Sequence, residues 1–419
     1  MTMVGRPPVR LVVVDSSLLD VDMHNFNFAR GVVRDGPKLG LAPRMVIPRR
    51  AAGRLADAIG ASAVLSMSVD DLLMHDGLSW RIADAIDGGA MLADDLEALD
   101  GPDAIDGAVM LLPTATAREI LGLALTIERG PRPLAVVLGF HELKTGETEQ
   151  RSTNQALGLL RYATNRLRRV FPAERILASA TTGPLAKRLA GVLNHTVRLW
   201  PHPMWYDLAA PAPDPAGPAA DGRATIAVLG GTRRDKGGEL LVDIARHAQP
   251  LAARARLLVQ LMPRSHGREG NPIAEGLADD PLVVVRRGML PESALLHHCG
   301  TVDAILLPYE PDEYRERASG IFALAVAMGR PVIVSDGTWM AERLREGAAT
   351  GLIVAVHAAF AYARAMAAIV DDRARFLEAA ALRAASWRER ENGVQHLATM
   401  IRVLSEAGVW PAGHMGSSG

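Results

Sequence analysis

"TIAVLGGTRRDKGGELLVDIARHA", residues 225–248, decides the fold. It opens with a short apolar run, 225–229, and breaks at Gly230-Gly231. A turn carrying Arg233, Arg234, Asp235 and Lys236 follows, and a helix is predicted over 236–248. An apolar strand that enters a helix through a glycine-rich turn is the first half of a strand–helix–strand unit.

The same rhythm recurs on both sides. Upstream, strands are predicted at Val9–Val14, 44–47, 108–112, 134–138, 176–178 and Val197–Leu199, with helices such as 115–128 and 154–170 between them. Downstream, strands are predicted at Ala255–Leu261, 282–285, Ala304–Leu307, 331–334 and 352–356, separated by helices such as 291–298 and 318–328. Continuous apolar strands alternating with helices indicate parallel sheets covered on both faces. The stretch "AAPAPDPAGPAADGR", 209–223, has nothing to bury and reads as a linker. The expected organisation is α/β: a doubly wound domain over 1–208, the linker 209–223 and a second doubly wound domain over 224–390. A C-terminal helix over 391–410 is expected to pack across the domains. Residues 413–419 read as a tag remnant. Two such domains imply a ligand cleft between their sheets, beyond the carboxyl ends of the strands.

Composition narrows the class. The chain has 419 residues, 49% hydrophobic and 22% charged, with a net charge of -1. That length exceeds one ordinary core, and the charge gives no field that would draw the chain to nucleic acid. Cys299 is the only cysteine, so no internal disulfide or cysteine-based zinc site is expected. No apolar run reaches bilayer length and the N-terminus lacks a signal-like apolar region, so a cytoplasmic protein is expected. Lys236 is one of four lysines, with Lys38, Lys144 and Lys187.

Two stretches carry candidate chemistry. In the turn 230–238, glycines let backbone approach closely, a helix N-terminus favours an anion, and an Arg with a Lys suits a diphosphate. The spacing is neither the dinucleotide fingerprint nor a P-loop. The second stretch is "YRERASGIFALAVAMGRPVIV", 314–334. Its polar start, broken at Ser319-Gly320, follows the strand Ala304–Leu307 and precedes an apolar helix. Amides at Ser319, Gly320, Ile321 and Phe322 are placed to hold a phosphate or sugar hydroxyls, and Glu316 can accept from hydroxyls. Arg315 and Arg317 read as surface-loop charges. So do Asp94-Asp95 and Asp279-Asp280, which form no Asp-x-Asp metal motif. No metal site is expected.

Together these motifs resemble the GT-B glycosyltransferases, in particular the large retaining family 4-like group. "GGTRRDKGG" resembles that family's Gly…Arg…Lys-Gly turn, in which Arg and Lys hold the donor diphosphate. "ERASGIFALAVAMGRPVIV" resembles its Glu-x7-Glu segment with the following small-x-Gly-x-Pro-Val. Counting back from Gly329, Glu316 takes the first Glu position and Leu324 the second. "RRGML", with Gly288, Met289 and Leu290, resembles the loop that holds the nucleotide base. In the first half, "DVDMHNFNFARGV", with Asp22 and His24, resembles the segment near donor phosphate and acceptor. "LGFHEL" places His141 where the family often has an acceptor-side His or acid.

The resemblance implies a metal-independent transfer of a sugar, with retention, from a nucleoside diphosphate sugar to a glycan, a glycolipid or another glycoconjugate. No other cofactor is implied. Arg233, Lys236, Glu316 and His141 are the implied catalytic residues. Two departures qualify this. Leu324 cannot accept hydrogen bonds from a ribose, and Asp22 replaces a glycine beside a phosphate. They leave open a non-catalytic GT-B protein that binds a nucleotide sugar or glycan; a sugar-nucleotide epimerase of the same architecture is a further alternative. The arginines between 161 and 198 suggest contact with an anionic membrane face or acidic glycan, or a salt-bridged helix surface.

Overall fold

A computed structural model describes residues 7–20, 24–51, 53–68, 82–101, 104–141, 150–202, 204, 205, 208, 221–261, 272–277 and 280–410. The chain divides into two compact units, Met1–Trp205 with Asn392–Gly419, and Tyr206–Glu391. Each is built on one wholly parallel sheet, so the chain is a two-domain α/β protein.

The first sheet contains β1 (Val9–Val14), β2 (Leu41–Pro48), β3 (Ser62–Leu65), β4 (Val109–Leu112), β5 (Ala135–Phe140), β6 (Ile176–Ala180) and β7 (Val197–Leu199). Their spatial order is β3-β2-β1-β4-β5-β6-β7. β1, β4 and β5 are almost wholly apolar and buried, as expected of strands covered on both faces. β2 is longer than expected because it runs through Pro43; β3 pairs only from Val46 onward, so the proline sits where β2 has no neighbour on that side. β3 and the helix Ile82–Glu97 were not anticipated. β3 is only four residues long, and the pair Gly88-Gly89 lowers the helix's intrinsic propensity.

The second sheet contains β8 (Ala224–Val228), β9 (Ala255–Leu261), β10 (Val283–Arg287), β11 (Ala304–Leu307), β12 (Val332–Ser335) and β13 (Gly351–Val354). Its order is β10-β9-β8-β11-β12-β13. Relative to its first strand this is the 3-2-1-4-5-6 order of dinucleotide-binding folds, and the order reverses between β8 and β11. Ligands of such sheets sit outside the carboxyl ends at that reversal. The turn 230–238 leaves β8 there, and the segment 308–319 leaves β11 there.

The helix expected over 236–248 starts later. Two short 3-10 turns, Arg234–Lys236 and Gly238–Leu240, precede the regular helix Leu241–Ala248. Gly237, at φ 72°, ends the first turn in the left-handed region. The C-terminal helix Gly393–Glu406 belongs to the first unit. The linker residues 209–220 and the terminal residues 411–419 lie outside the described residues.

Candidate functional site

The two motifs that sequence reading treated separately are neighbours in space. Gly230 has φ 81°, and a Cβ there would stand 2.6 Å from Cγ1 of Ile321, the second residue of the helix Gly320–Ala327. A Cβ on Gly237 would fall inside the Pro308 carbonyl at the end of β11. These glycines therefore let the β8 turn close onto the β11 turn. Their freedom is used for protein contacts, whereas the sequence suggested close approach to a ligand.

Four charged groups gather on this joint. Arg233 donates through Nε and Nη2 to the two carboxylate oxygens of Asp235, at 2.9 and 2.8 Å. Arg317 reaches the same carboxylate at 3.3 Å and stacks over Tyr314, its guanidinium carbon 4.9 Å from the ring centre. Arg317 was expected to be a surface-loop charge. Its ion pair with Asp235 brings it into the cation cluster instead. Lys236 donates to the Gly230 carbonyl at 2.5 Å, and its ammonium lies 5.8 Å from the Tyr309 ring centre. Burial lowers the Lys236 pKa first, Arg233 and Arg317 lower it further, and Asp235 opposes them; the result is about 8. Burial would raise the Asp235 pKa, but its hydrogen bond from Arg233 and the charges of Arg233, Arg317 and Lys236 hold it below the usual range. Arg317 also pairs with Glu313 at 3.6 Å, so three cations here face two carboxylates.

The anion-facing amides are fewer than expected. Ser319 caps the helix Gly320–Ala327, its hydroxyl accepting from the Phe322 N–H at 3.2 Å. The Phe322 amide is thus occupied. Its ring is core, packed edge-on against Trp339 and Trp387 at 5.4 and 5.8 Å. Gly320 and Ile321, first in the helix, have no acceptor within it for their amides. Leu324, counted at the ribose-facing position, is 0% exposed. As the structure stands it is a core side chain and touches no solvent. Glu316 is half-buried just before Arg317.

The third turn at this edge leaves β10. Gly288 has φ 93° and donates to the Leu261 carbonyl at 2.8 Å. Met289 is exposed and Leu290 half-buried. Gln260, next to last in β9, joins this turn to the β8 turn. It accepts from the Gly230 N–H at 2.8 Å and donates to the Gly288 carbonyl at 3.1 Å. Sequence reasoning missed Gln260, although a lone amide in the run "LLVQL" of a buried strand is a visible signal.

In the first unit, the corresponding reversal lies between β1 and β4. Its carboxyl edge is filled by a buried polar cluster that the sequence did not suggest. Glu119 accepts from Ser16 at 2.7 Å and from Arg118 at 2.5 Å, and closes a capping box with Thr116. Burial pushes Glu119 up, but Arg118 and the Thr116 and Ser16 hydroxyls outweigh it and hold its carboxyl below the usual range. Asp15 accepts from Ser17, which in turn accepts from Asn25 at 2.6 Å. His141 directly follows β5 and is half-buried. His24 opens the helix His24–Asp35; Asp22 lies outside the described residues.

Asp95 differs from the loop charge expected. It sits in the helix Ile82–Glu97, is buried, and accepts from Ser66 N and Oγ at 2.6 and 2.7 Å. Several arginines of 161–198 are tied down locally. Arg166 pairs with Glu128 at 2.6 Å, and Arg161 and Arg168 donate to the carbonyls of Val192 and Asn194. Among the described residues, no group of three or more His, Cys, Asp or Glu is arranged to hold a metal, and no helix is long and apolar enough to cross a membrane.

No protein-family model and no curated protein matches this chain. Solved structures do. A glycosyltransferase from Rickettsia africae is similar over 96% of this chain and 99% of its own, with a TM-score of 0.65 and 14% identity. Sucrose-phosphate synthase from Thermosynechococcus elongatus is similar over 95% of this chain and 100% of its own, with a TM-score of 0.66 and 15% identity. Anabaena HepE, solved with UDP and glucose, is similar over 95% and 99%, with a TM-score of 0.63 and 12% identity. At such identities the likeness is one of fold, and the fold of this chain is the two-domain GT-B architecture of these glycosyltransferases.

Proposed function

We propose that this protein is a retaining glycosyltransferase that moves a sugar from a nucleoside diphosphate sugar to a glycan, lipid-linked or other glycoconjugate acceptor. One observation carries the reading. The two turns flanking the strand-order reversal of the second sheet close on each other and gather Arg233, Lys236 and Arg317 beside the first amides of the helix Gly320–Ala327. Cations and free amides at a reversal are the recognition chemistry of a diphosphate.

In the proposed reaction, the bond between the anomeric carbon and the diphosphate oxygen breaks, the acceptor hydroxyl oxygen forms the new bond on the same face, and the hydroxyl proton passes to the departing diphosphate oxygen. Negative charge builds on the departing diphosphate, and Arg233, Lys236 and the amides of Gly320 and Ile321 stabilise it. Those cations serve in place of a metal ion. Glu316 accepts from donor-sugar hydroxyls, and the turn at Gly288, Met289 and Leu290 faces the base. Asp22, His24 and His141 are assigned to the acceptor or phosphate side. The protein is proposed to act in the cytoplasm, with peripheral contact at an anionic membrane face.

A second reading, a non-catalytic protein that binds a nucleotide sugar, is favoured by Leu324, where no carboxylate is offered to a ribose. Calorimetry against UDP, GDP, ADP and dTDP, followed by donor-hydrolysis assays, separates the two. UDP heads that series because HepE was solved with it. Replacing Arg233 and Lys236 together with alanine is expected to weaken the best ligand by a few kcal/mol, on the order of two charged hydrogen bonds. Unchanged affinity refutes the site. Turnover is expected to persist in EDTA; strict dependence on added Mg²⁺ would overturn the leaving-group chemistry.

A further inference from the structure

We propose that Gln260 is a positioning residue that fixes the spacing between the phosphate-side turn after β8 and the base-side turn after β10. This inference rests on the nucleotide-sugar reading above and goes beyond it. β9 lies between β10 and β8 in the sheet, so a side chain at its carboxyl end can reach the turns that leave both neighbours. Gln260 stands one residue before the end of β9, opposite Arg286 of β10. It is 3% exposed.

The two hydrogen bonds fix the orientation of its amide. The oxygen takes the Gly230 N–H at 2.8 Å, and the nitrogen gives to the Gly288 carbonyl at 3.1 Å. Only an amide supplies an acceptor and a donor at those two places; a carboxylate supplies two acceptors and an aliphatic chain neither. Both partners are glycines at positive φ, 81° and 93°, whose backbone is permissive. Each turn keeps contacts of its own without Gln260, the Gly288 N–H on the Leu261 carbonyl and the Lys236 ammonium on the Gly230 carbonyl, but neither of these bonds runs from one turn to the other. A ligand with phosphates at one turn and a base at the other feels a shift between them. A ligand that reaches only the phosphate turn does not. The bond also uses the Gly230 amide and the Gly288 carbonyl, so Gln260 acts by placing the groups around them.

The test compares inorganic pyrophosphate with UDP, GDP, ADP and dTDP by calorimetry on the full chain, in wild type, Gln260→Met and Gln260→Glu. Gln260→Met is expected to weaken the best nucleoside diphosphate about tenfold or more while changing pyrophosphate less than about threefold. Gln260→Glu keeps the shape but sets a carboxylate against the Gly288 carbonyl. A buried carboxyl there titrates high, and once protonated it donates as the amide did. Its nucleoside diphosphate affinity relative to wild type is therefore expected to recover between pH 7.5 and pH 5.5, which mere loss of packing would not produce. Equal loss of pyrophosphate and nucleoside diphosphate in Gln260→Met overturns the proposal. So does a Gln260→Glu to wild-type ratio that is flat with pH. If the Gln260→Met chain does not fold, the Gln260→Glu ratio decides alone. Replacing Arg233 and Lys236 with alanine tells the two readings apart. If that leaves pyrophosphate binding unchanged, the phosphate site and this inference both fail. If it weakens binding while the Gln260 variants behave as wild type, only the positioning role fails.

Discussion

On the diphosphate reading proposed above, raising the pH from 7 to 9 is expected to release UDP, because Lys236 loses its proton in that range. Its ammonium is enclosed between the Gly230 carbonyl, 2.5 Å away, and the Tyr309 ring, and has Arg233, Asp235 and Arg317 as charged neighbours. Burial and the two arginines bring its pKa to about 8. The protonated share then falls from roughly nine-tenths at pH 7 to roughly one-tenth at pH 9, about a tenfold loss of affinity or ~1.4 kcal/mol. A terminal phosphate is already ionised above about pH 7, so the ligand does not supply this change. At pH 8, binding should draw in about half a proton, which shows as a dependence of calorimetric heat on buffer ionisation enthalpy. Stability of the unliganded protein moves the other way. The folded pKa lies below the 10.5 of a free lysine, so the unfolded chain binds more protons between about 8 and 10.5. Stability from this group therefore rises across that window. Titrating UDP from pH 7 to 9 in wild type and Lys236→Met checks this. A wild-type affinity that is flat with pH, or the same slope in Lys236→Met, refutes the reasoning.

Two further substitutions probe the neighbours. Asp235→Asn removes the carboxylate that occupies Arg233 and Arg317, so UDP is expected to bind several-fold tighter while the unliganded chain loses about 1 kcal/mol. The stability Asp235 gives is present at neutral pH and lost as pH falls through its lowered pKa, below 3.8, so the melting difference from wild type should close in acid. Leu324→Glu and Leu324→Gln are both expected to cost several kcal/mol, since the position is fully buried and a polar group there has no partner. A thermal melt that UDP restores fully in Leu324→Glu alone would instead place the position at a ribose.

The fold was legible because it is written in strand–turn–helix units. β8, β11 and β12 are short runs of apolar and β-branched residues, and each is followed by its turn within a few residues. The grouping of charges at the site was less so. Arg233 and Lys236 stand out by local spacing, whereas Arg317 meets Asp235 across 82 residues of sequence. Gln260 meets Gly230 across 30 and Gly288 across 28. Such meetings depend on strand order, and alternation of strands and helices does not specify strand order. Asp95 was misread for a related reason. A pair of adjacent carboxylates reads as solvated, yet Asp95 is held by the backbone of Ser66, the residue after the unanticipated strand Ser62–Leu65.

The return of the chain to the first unit has a physical cause in a single indole. Trp205 ends the segment 200–205, and its ring lies against Gly31 of the helix His24–Asp35 and Gly393, the first residue of the last helix; a Cβ on either glycine would overlap it. Its Nε1 donates to Asp35 at 2.9 Å. Burial would raise the Asp35 pKa, but Arg34, Lys38 and Trp205 outweigh it and lower it to about 2, so the acceptor stays ionised at neutral pH. The Gly393 N–H donates to the Met204 carbonyl at 2.9 Å, which ties the outgoing and returning strands of chain together. One turn on, His396 meets the Pro201 carbonyl at 2.9 Å, and burial keeps it neutral by lowering its pKa to about 4. Two residues without side chains, 362 positions apart, are thus needed by one tryptophan. The final helix is fixed by that socket and by the apolar face of Leu397, Met400, Ile401 and Leu404 that continues from it. A helical pattern with no strand partner shows neither feature in the sequence, because the socket's other half lies in the first helix of the chain.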